Sequence, residues 1–191
     1  MKDIILASAS PRRTDLLKQL GLDFRVIPSD IDETIDKTMS ARELVLSLSS
    51  QKALEVANKV QPGPLVIGAD TVVFKERILG KPENWDEAAE MLNMLQGDWH
   101  EVITGVTLID TLTGKQSSEY EVTRVKMCEL NHQMINAYIG TGEPFDKAGA
   151  YGIQGMGALL VEGIEGCYFN VVGLPLKRLS SMLETFGFRL L

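Results

Sequence analysis

Ile4-Ile5-Leu6-Ala7-Ser8-Ala9-Ser10-Pro11-Arg12-Arg13 is the stretch whose reading decides the fold. Its short apolar run reads as a buried strand. The run stops at a small polar turn, Ser8-Ala9-Ser10. Ser10 is a helix-capping residue type, and Pro11 suits the first helical position. Leu16, Leu17 and Leu20 then supply a packed stripe. Arg12 and Arg13 fall in the first helical turn, where exposed N–H groups already carry partial positive charge. Two cations there cost stability unless an anion lies nearby. Phosphate is the usual anion at such a terminus, and arginine binds it through paired hydrogen bonds. The competing reading leaves both arginines along the solvated surface.

The rest of the chain extends this strand–turn–helix start. Phe24 to Pro28 reads as a second strand, followed by the acidic loop Asp30-Ile31-Asp32-Glu33-Thr34. Ser40 and Glu43 form a capping box for a long helix, Ala41 to Lys59. Leu65–Ala69 is a buried strand ending at Asp70, and Thr71–Phe74 continues extended after a bend there. Gly80-Lys81-Pro82 is a turn. Asn84 caps a helix from Trp85 to Leu95, closed by Gly97. Stretches Glu101–Thr111 and Ser117–Glu129, joined near Thr113-Gly114-Lys115, read as a hairpin. Asn131 opens a helix to Ile139. A glycine-rich segment, Gly149 to Gly157, leads into strand-like Ala158–Val161, and a last helix runs from Leu174 to Phe186. Partial alternation of strands and helices with an antiparallel insertion predicts an α/β fold with a mixed sheet.

Composition narrows the function. The 191 residues, 45% apolar and 24% charged, suit one ordinary globular domain, with two lobes around a cleft. A net charge of -7 argues against non-specific nucleic-acid binding. Cys128 and Cys167 lack metal-ligand spacing and read as buried thiols in a reducing compartment. His100 and His132 lie far apart in sequence and receive no role. Trp85 and Trp99 are assigned to packing. A metal here would be held by carboxylates and phosphate, which points to Mg²⁺ or Mn²⁺. No apolar run reaches membrane-spanning or signal-peptide form, so the cytoplasm is the expected location.

Several residues could carry chemistry. Asp70, at the end of an apolar run, reads equally as a metal ligand, a general base or a turn-former. Glu33 sits among Asp30 and Asp32 and reads as part of a solvated acidic loop or as facing a cation. Val45, Leu48, Lys52 and Val56 follow helical spacing, so Lys52 lies on the apolar stripe. It either snorkels past the core edge or extends toward phosphate. Lys81 in its turn reads as exposed. The segment Asp146-Lys147-Ala148-Gly149-Ala150-Tyr151-Gly152-Ile153-Gln154-Gly155 lacks dinucleotide-binding glycine spacing, yet implies close backbone approach or positive φ. Gln154 reads a base edge through its amide or lies on a structural loop.

Taken together, Ser8–Arg13, Gly68-Ala69-Asp70-Thr71, Gly80-Lys81-Pro82, Asp146–Gly155 and Val172-Gly173-Leu174-Pro175 resemble the blocks of the Maf family of nucleoside triphosphate pyrophosphatases. They occur in family order across nearly the whole chain. The resemblance implies a long mixed sheet flanked by helices, with a deep cleft, related to the inosine triphosphate pyrophosphatases. It implies cleavage of a nucleoside triphosphate to monophosphate and pyrophosphate with a divalent cation. Asp70 is then the general base, Glu33 and Asp70 hold the metal, and Ser8, Arg13, Lys52 and Lys81 line the phosphate path. Arg12, Thr71 and Gln154 sort substrates and look like the dTTP/UTP branch. Rival readings are a 7-methyl-GTP or other modified-nucleotide pyrophosphatase, and a non-catalytic nucleotide sensor in cell division, since the family is linked to septum-formation arrest. The resemblance also suggests a homodimer, with neither nucleic acid nor membrane as partner.

Overall fold

A computed structural model describes residues 3–31 and 38–191. The opening stretch folds as strand β1 (Ile4–Leu6) and helix α1 (Pro11–Gln19). Pro11 takes the start of the helix, but the Ser10 side chain makes no cap hydrogen bond. Instead the Ser10 N–H donates to Ser8 Oγ at 3.2 Å. Leu16 and Leu17 are buried, while Leu20 is the partly buried C-cap.

Strand β2 (Phe24–Val26) is shorter than the apolar stretch suggests. Helix α2 (Ala41–Lys59) has its full capping box, with Ser40 Oγ and the Glu43 carboxylate reciprocating. Strand β3 (Leu65–Lys75) runs unbroken through Asp70 and turns back into β4 (Arg77–Leu79). The expected bend at Asp70 is absent, because the β-branched run Thr71-Val72-Val73 keeps the backbone extended. The β3–β4 reversal, with Glu76 at φ 58°, carries no glycine or proline signal. Helix α3 (Trp85–Leu95) starts at the Asn84 cap, and Gly97 adopts φ 67° beyond its end. Strands β5 (Trp99–Asp110) and β6 (Gln116–Met127) form the expected hairpin.

Helix α4 (His132–Ile139) is capped by Asn131. The glycine-rich segment continues into 3₁₀ turns, and Gly155–Leu160 is one of them rather than strand; strand β7 (Val161–Glu165) begins where strand-like character was expected to end. A short helix α5 (Tyr168–Val172) precedes α6 (Leu176–Thr185), which starts two residues later than expected. Two packing assignments also change. Trp85 is 44% exposed, and both cysteines are only partly buried.

The result is an α/β fold on a mixed seven-stranded sheet, order β2-β1-β3-β5-β6-β7, with β4 on β3. β1 pairs parallel with β2 and with β3. β4 and β7 pair antiparallel with β3 and β6. The chain divides into two compact units: residues 1–70, 104–121 and 173–191, and residues 71–103 and 122–172. In the first, Ile5, Val66 and Ile109 of the sheet, with Ala7 just beyond β1, pack on Ala53 and Val56 of α2. Two glycines allow this helix to approach closely. A Cβ on Gly68 would stand 2.3 Å from the Ser49 carbonyl oxygen, and one on Gly105 2.3 Å from that of Val45. A hydroxyl chain completes the contact, with Ser49 Oγ 3.0 Å from Thr107 Oγ1 and the latter 2.9 Å from Ser118 Oγ.

The second unit packs α3 and α4 around Leu79, Val102, Val125, Met127, Tyr151 and Leu160. Within it His100 is 4% exposed, and its Nε2 lies 2.6 Å from the Tyr151 hydroxyl. Burial, helped by the nearby Lys75 charge and opposed by Asp98, lowers the His100 pKa to about 4. The unfolded imidazole titrates near its ordinary value of about 6.5. Between those values the unfolded chain binds the extra proton, so stability rises with pH across this window. The contribution is complete above about pH 6.5, fades toward pH 4, and is worth at most roughly 3 kcal/mol. Urea unfolding at pH 4.5 and 7.5 should show a smaller pH gap for His100→Gln than for the native chain. Equal gaps would exclude His100 as the source.

Candidate active site

The first unit holds a buried ion pair between α2 and β3. Lys52 Nζ donates to Asp70 Oδ1 at 2.7 Å, and each residue is only 6% exposed. The placement follows from local geometry. Asp70 lies two residues beyond Gly68 and so shares its strand face. Ser49 and Ala53, the α2 residues that crowd Gly68, bracket Lys52. The close approach at Gly68 thus brings the α2 backbone within reach of β3, and the lysine stem spans the remaining gap. Asp70 lies within a strand, not at its end, and its partner is a lysine rather than its own turn.

The second feature of this unit is the β1–α1 loop. Arg13 Nη1 donates to Ser8 Oγ at 3.1 Å, and its Nε donates to the Gly173 carbonyl at 2.8 Å. Ser8 is buried. The guanidinium therefore braces the loop against the segment preceding α6, which gives the Val172–Pro175 block a physical role that the sequence leaves unexplained. Arg12, partly buried, lies in the same first turn. The first unit thus joins two cationic arginines at a helix N-terminus, and separately holds a carboxylate against an ammonium. The former suits phosphate; the latter suits orienting a polar reactant.

The second unit holds Thr71, Lys81 and Gln154. Thr71 is partly buried in β3; Lys81 and Gln154 are exposed. The Gly149 N–H donates to the Gly80 carbonyl at 2.9 Å, so the Gly80–Pro82 and Asp146–Gly155 blocks meet through the backbone. Gly149 has φ 68° and rests against Val73, where a Cβ would lie 2.8 Å from a side-chain methyl. Here the reading of close approach and positive φ holds. Glu143 and Tyr138 grip the backbone around Gln154. Sequence reasoning singles out neither, because a glutamate between Gly142 and Pro144 carries no periodic or motif signal.

Glu33 lies outside the described residues. Among the described residues no three His, Cys, Asp or Glu side chains gather as a metal site. Among the described residues Asp70 supplies a buried carboxylate at this pair, a hard-oxygen donor of the kind a hard cation takes.

Comparison with known proteins agrees with this architecture. A family model described as Maf-like protein matches residues 3–186. A curated relative from Acetivibrio thermocellus, named dTTP/UTP pyrophosphatase, is 56% identical, covering 98% of this chain and 96% of its own. One of the same name from Caldicellulosiruptor bescii is 53% identical, covering 100% and 98%. Among solved structures, a HAM1 protein from Coxiella burnetii superposes with TM-score 0.58 at 14% identity, covering 97% of this chain and 100% of that one. The Staphylococcus aureus Ham1 protein gives 0.50 at 15%, with coverages of 97% and 100%. These two likenesses concern the fold.

Two outcomes follow from the packing around Lys52. Removing one partner strands a buried charge, so Lys52→Met should destabilise the protein by about 3–5 kcal/mol. The double variant Lys52→Met/Asp70→Leu should recover most of that loss in urea titrations; a double variant less stable than both singles would refute this coupling. Gly68→Ala should cost about 1–3 kcal/mol through overpacking and lower turnover by moving α2. Unchanged turnover would show that Lys52 keeps its place without the close approach.

Proposed function

The chain belongs to the Maf-like protein family, and from that premise we propose that it hydrolyses dTTP and UTP to the nucleoside monophosphate and pyrophosphate. The observation that carries this reading is the buried Lys52–Asp70 pair at 2.7 Å, in a chain whose curated relatives share one activity in their names. A carboxylate and an ammonium are kept out of water together only at a cost, and phosphoryl transfer is a reaction that uses both.

In this reading Arg12, Arg13, Lys52 and Lys81 offset the charge of the triphosphate. Arg13, held by Ser8 and Gly173, presents its guanidinium in a fixed orientation. Asp70 orients the attacking water and takes its proton as the water oxygen bonds to the α-phosphorus. The bond from that phosphorus to the bridging oxygen breaks, and pyrophosphate departs with lysine counter-charge. Lys52 keeps the Asp70 carboxylate aimed before substrate arrives. Most of the rate enhancement is positioning and electrostatics. A divalent cation, Mg²⁺ or Mn²⁺, held by substrate oxygens with Asp70 and Glu33, would supply further charge neutralisation at the phosphates. Thr71 and Gln154, with Arg12, select the nucleobase. A cytoplasmic location and a homodimer complete this reading. Among the described residues no helix is long and apolar enough to cross a membrane.

Incubation with dTTP and Mg²⁺ should release pyrophosphate and dTMP in equal amounts. Orthophosphate as the product would mean that another bond is cut. Preference for 7-methyl-GTP over dTTP in a substrate panel would favour the modified-nucleotide alternative. Asp70→Asn should lose about 10²–10⁴-fold in kcat, the usual contribution of a general base. Near-native kcat in a folded Asp70→Asn protein would remove that role.

A further inference from the structure

Gln154 stands at the N-cap position of the 3₁₀ helix Gly155–Leu160, yet its side chain makes no cap hydrogen bond. It is exposed. The flanking backbone is intrinsically loose, with Gly152, Gly155 and Gly157 within four residues, and glycine gives up more freedom than any other residue on being ordered. Something outside the loop must therefore hold it.

Glu143 does so. Its Oε1 accepts the Met156 N–H at 2.9 Å, and its Oε2 accepts the Gly157 N–H at 3.2 Å. These are the donors a capping side chain would satisfy. The Tyr138 hydroxyl accepts the Gly152 N–H at 3.4 Å. Lys147 Nζ donates to the Glu143 carbonyl and to Asp146 Oδ1, both at 2.6 Å. Its stem runs so close to Gly152 that a Cβ there would lie 2.8 Å away. Gly157 is hemmed in equally, with a Cβ 2.2 Å from the Gly152 carbonyl oxygen and 2.7 Å from the Tyr138 hydroxyl.

We propose that Glu143, with Tyr138, is a positioning residue for nucleobase selection: it caps the 3₁₀ helix in place of Gln154, leaving the Gln154 amide for the base. The proposal rests on the reading of Gln154 as a base-selecting residue. The cap uses two charge-assisted bonds, so the loop is set before substrate binds, and Gln154 reaches the base without first being ordered.

The test compares Glu143→Ala, Glu143→Gln, Tyr138→Phe and Gln154→Ala in the full chain, with dTTP and dGTP as substrates. Glu143→Ala should raise KM for dTTP and lower the dTTP-over-dGTP ratio in kcat/KM by about tenfold, the scale of one charge-assisted hydrogen bond. Its kcat for dTTP should stay within about threefold, since the chemical step is untouched. Glu143→Gln keeps one acceptor oxygen and should recover part of the loss. Hydrogen exchange at Met156 and Gly157 should quicken in Glu143→Ala. Tyr138→Phe should show the same pattern more weakly, and it carries the test if Glu143→Ala does not fold. Unchanged KM and base preference despite faster exchange would overturn the proposal, as would a fall in kcat alone. If Gln154→Ala keeps the preference while Glu143→Ala loses it, the cap stands and the Gln154 reading fails. The reverse pattern overturns the cap alone.

Discussion

Lys52 and Asp70 can meet only because α2 lies almost in contact with β3. A lysine stem reaches a carboxylate across a packed helix–sheet layer when the backbones are close, and Gly68 is where that closeness is achieved. Nothing larger than hydrogen fits between its α-carbon and the carbonyl of Ser49. The same approach buries both charges, and burial makes the pair an obligation on its surroundings: each charge now needs the other. The small residues Ser49 and Ala53 on α2, the hydroxyl chain through Thr107 to Ser118, and Gly105 beneath Val45 all serve that one approach.

The second unit solves a different problem with the same economy of backbone. Its glycine-rich segment must turn sharply, approach Val73, and still present a fixed exposed side chain. Positive φ at Gly149 and Gly155 permits the turns. Glu143 and Tyr138 then replace the lost stiffness with hydrogen bonds to backbone N–H groups. Glycine opens the conformation, and a carboxylate selects it.

Local signals were legible wherever a residue acts on its own neighbours in the chain. The capping box of α2, the Asn84 and Asn131 caps and the proline at the start of α1 are all interactions within a few residues, and their helix boundaries followed. Legibility ended where a residue answers to something distant. Ser10 resembles a cap, yet the hydroxyl that bonds here is that of Ser8, which accepts from the Ser10 N–H and from the more distant Arg13 guanidinium. The apolar run before Asp70 resembles a strand that stops, yet β3 continues to Lys75, paired with β1 before Asp70 and with β4 after it. Ala158 to Leu160 resemble strand, but they lie in a 3₁₀ turn whose Met156 and Gly157 N–H groups are bound by the Glu143 carboxylate from outside the segment.

By itself the sequence determined the α/β class, most element boundaries, an acidic chain with localised positive charge, and the ordered motif blocks that mark the family. These are properties of composition and of short-range spacing, which hydrophobic periodicity and capping chemistry read directly. Only the tertiary structure decided what each polar side chain does. Lys52 could have snorkelled past the core edge or extended toward phosphate, and both fit one helical stripe. The fold instead sets its ammonium on the Asp70 carboxylate, because the distance to a partner 18 residues away is set by the packing at Gly68 and is not encoded in any window of the chain.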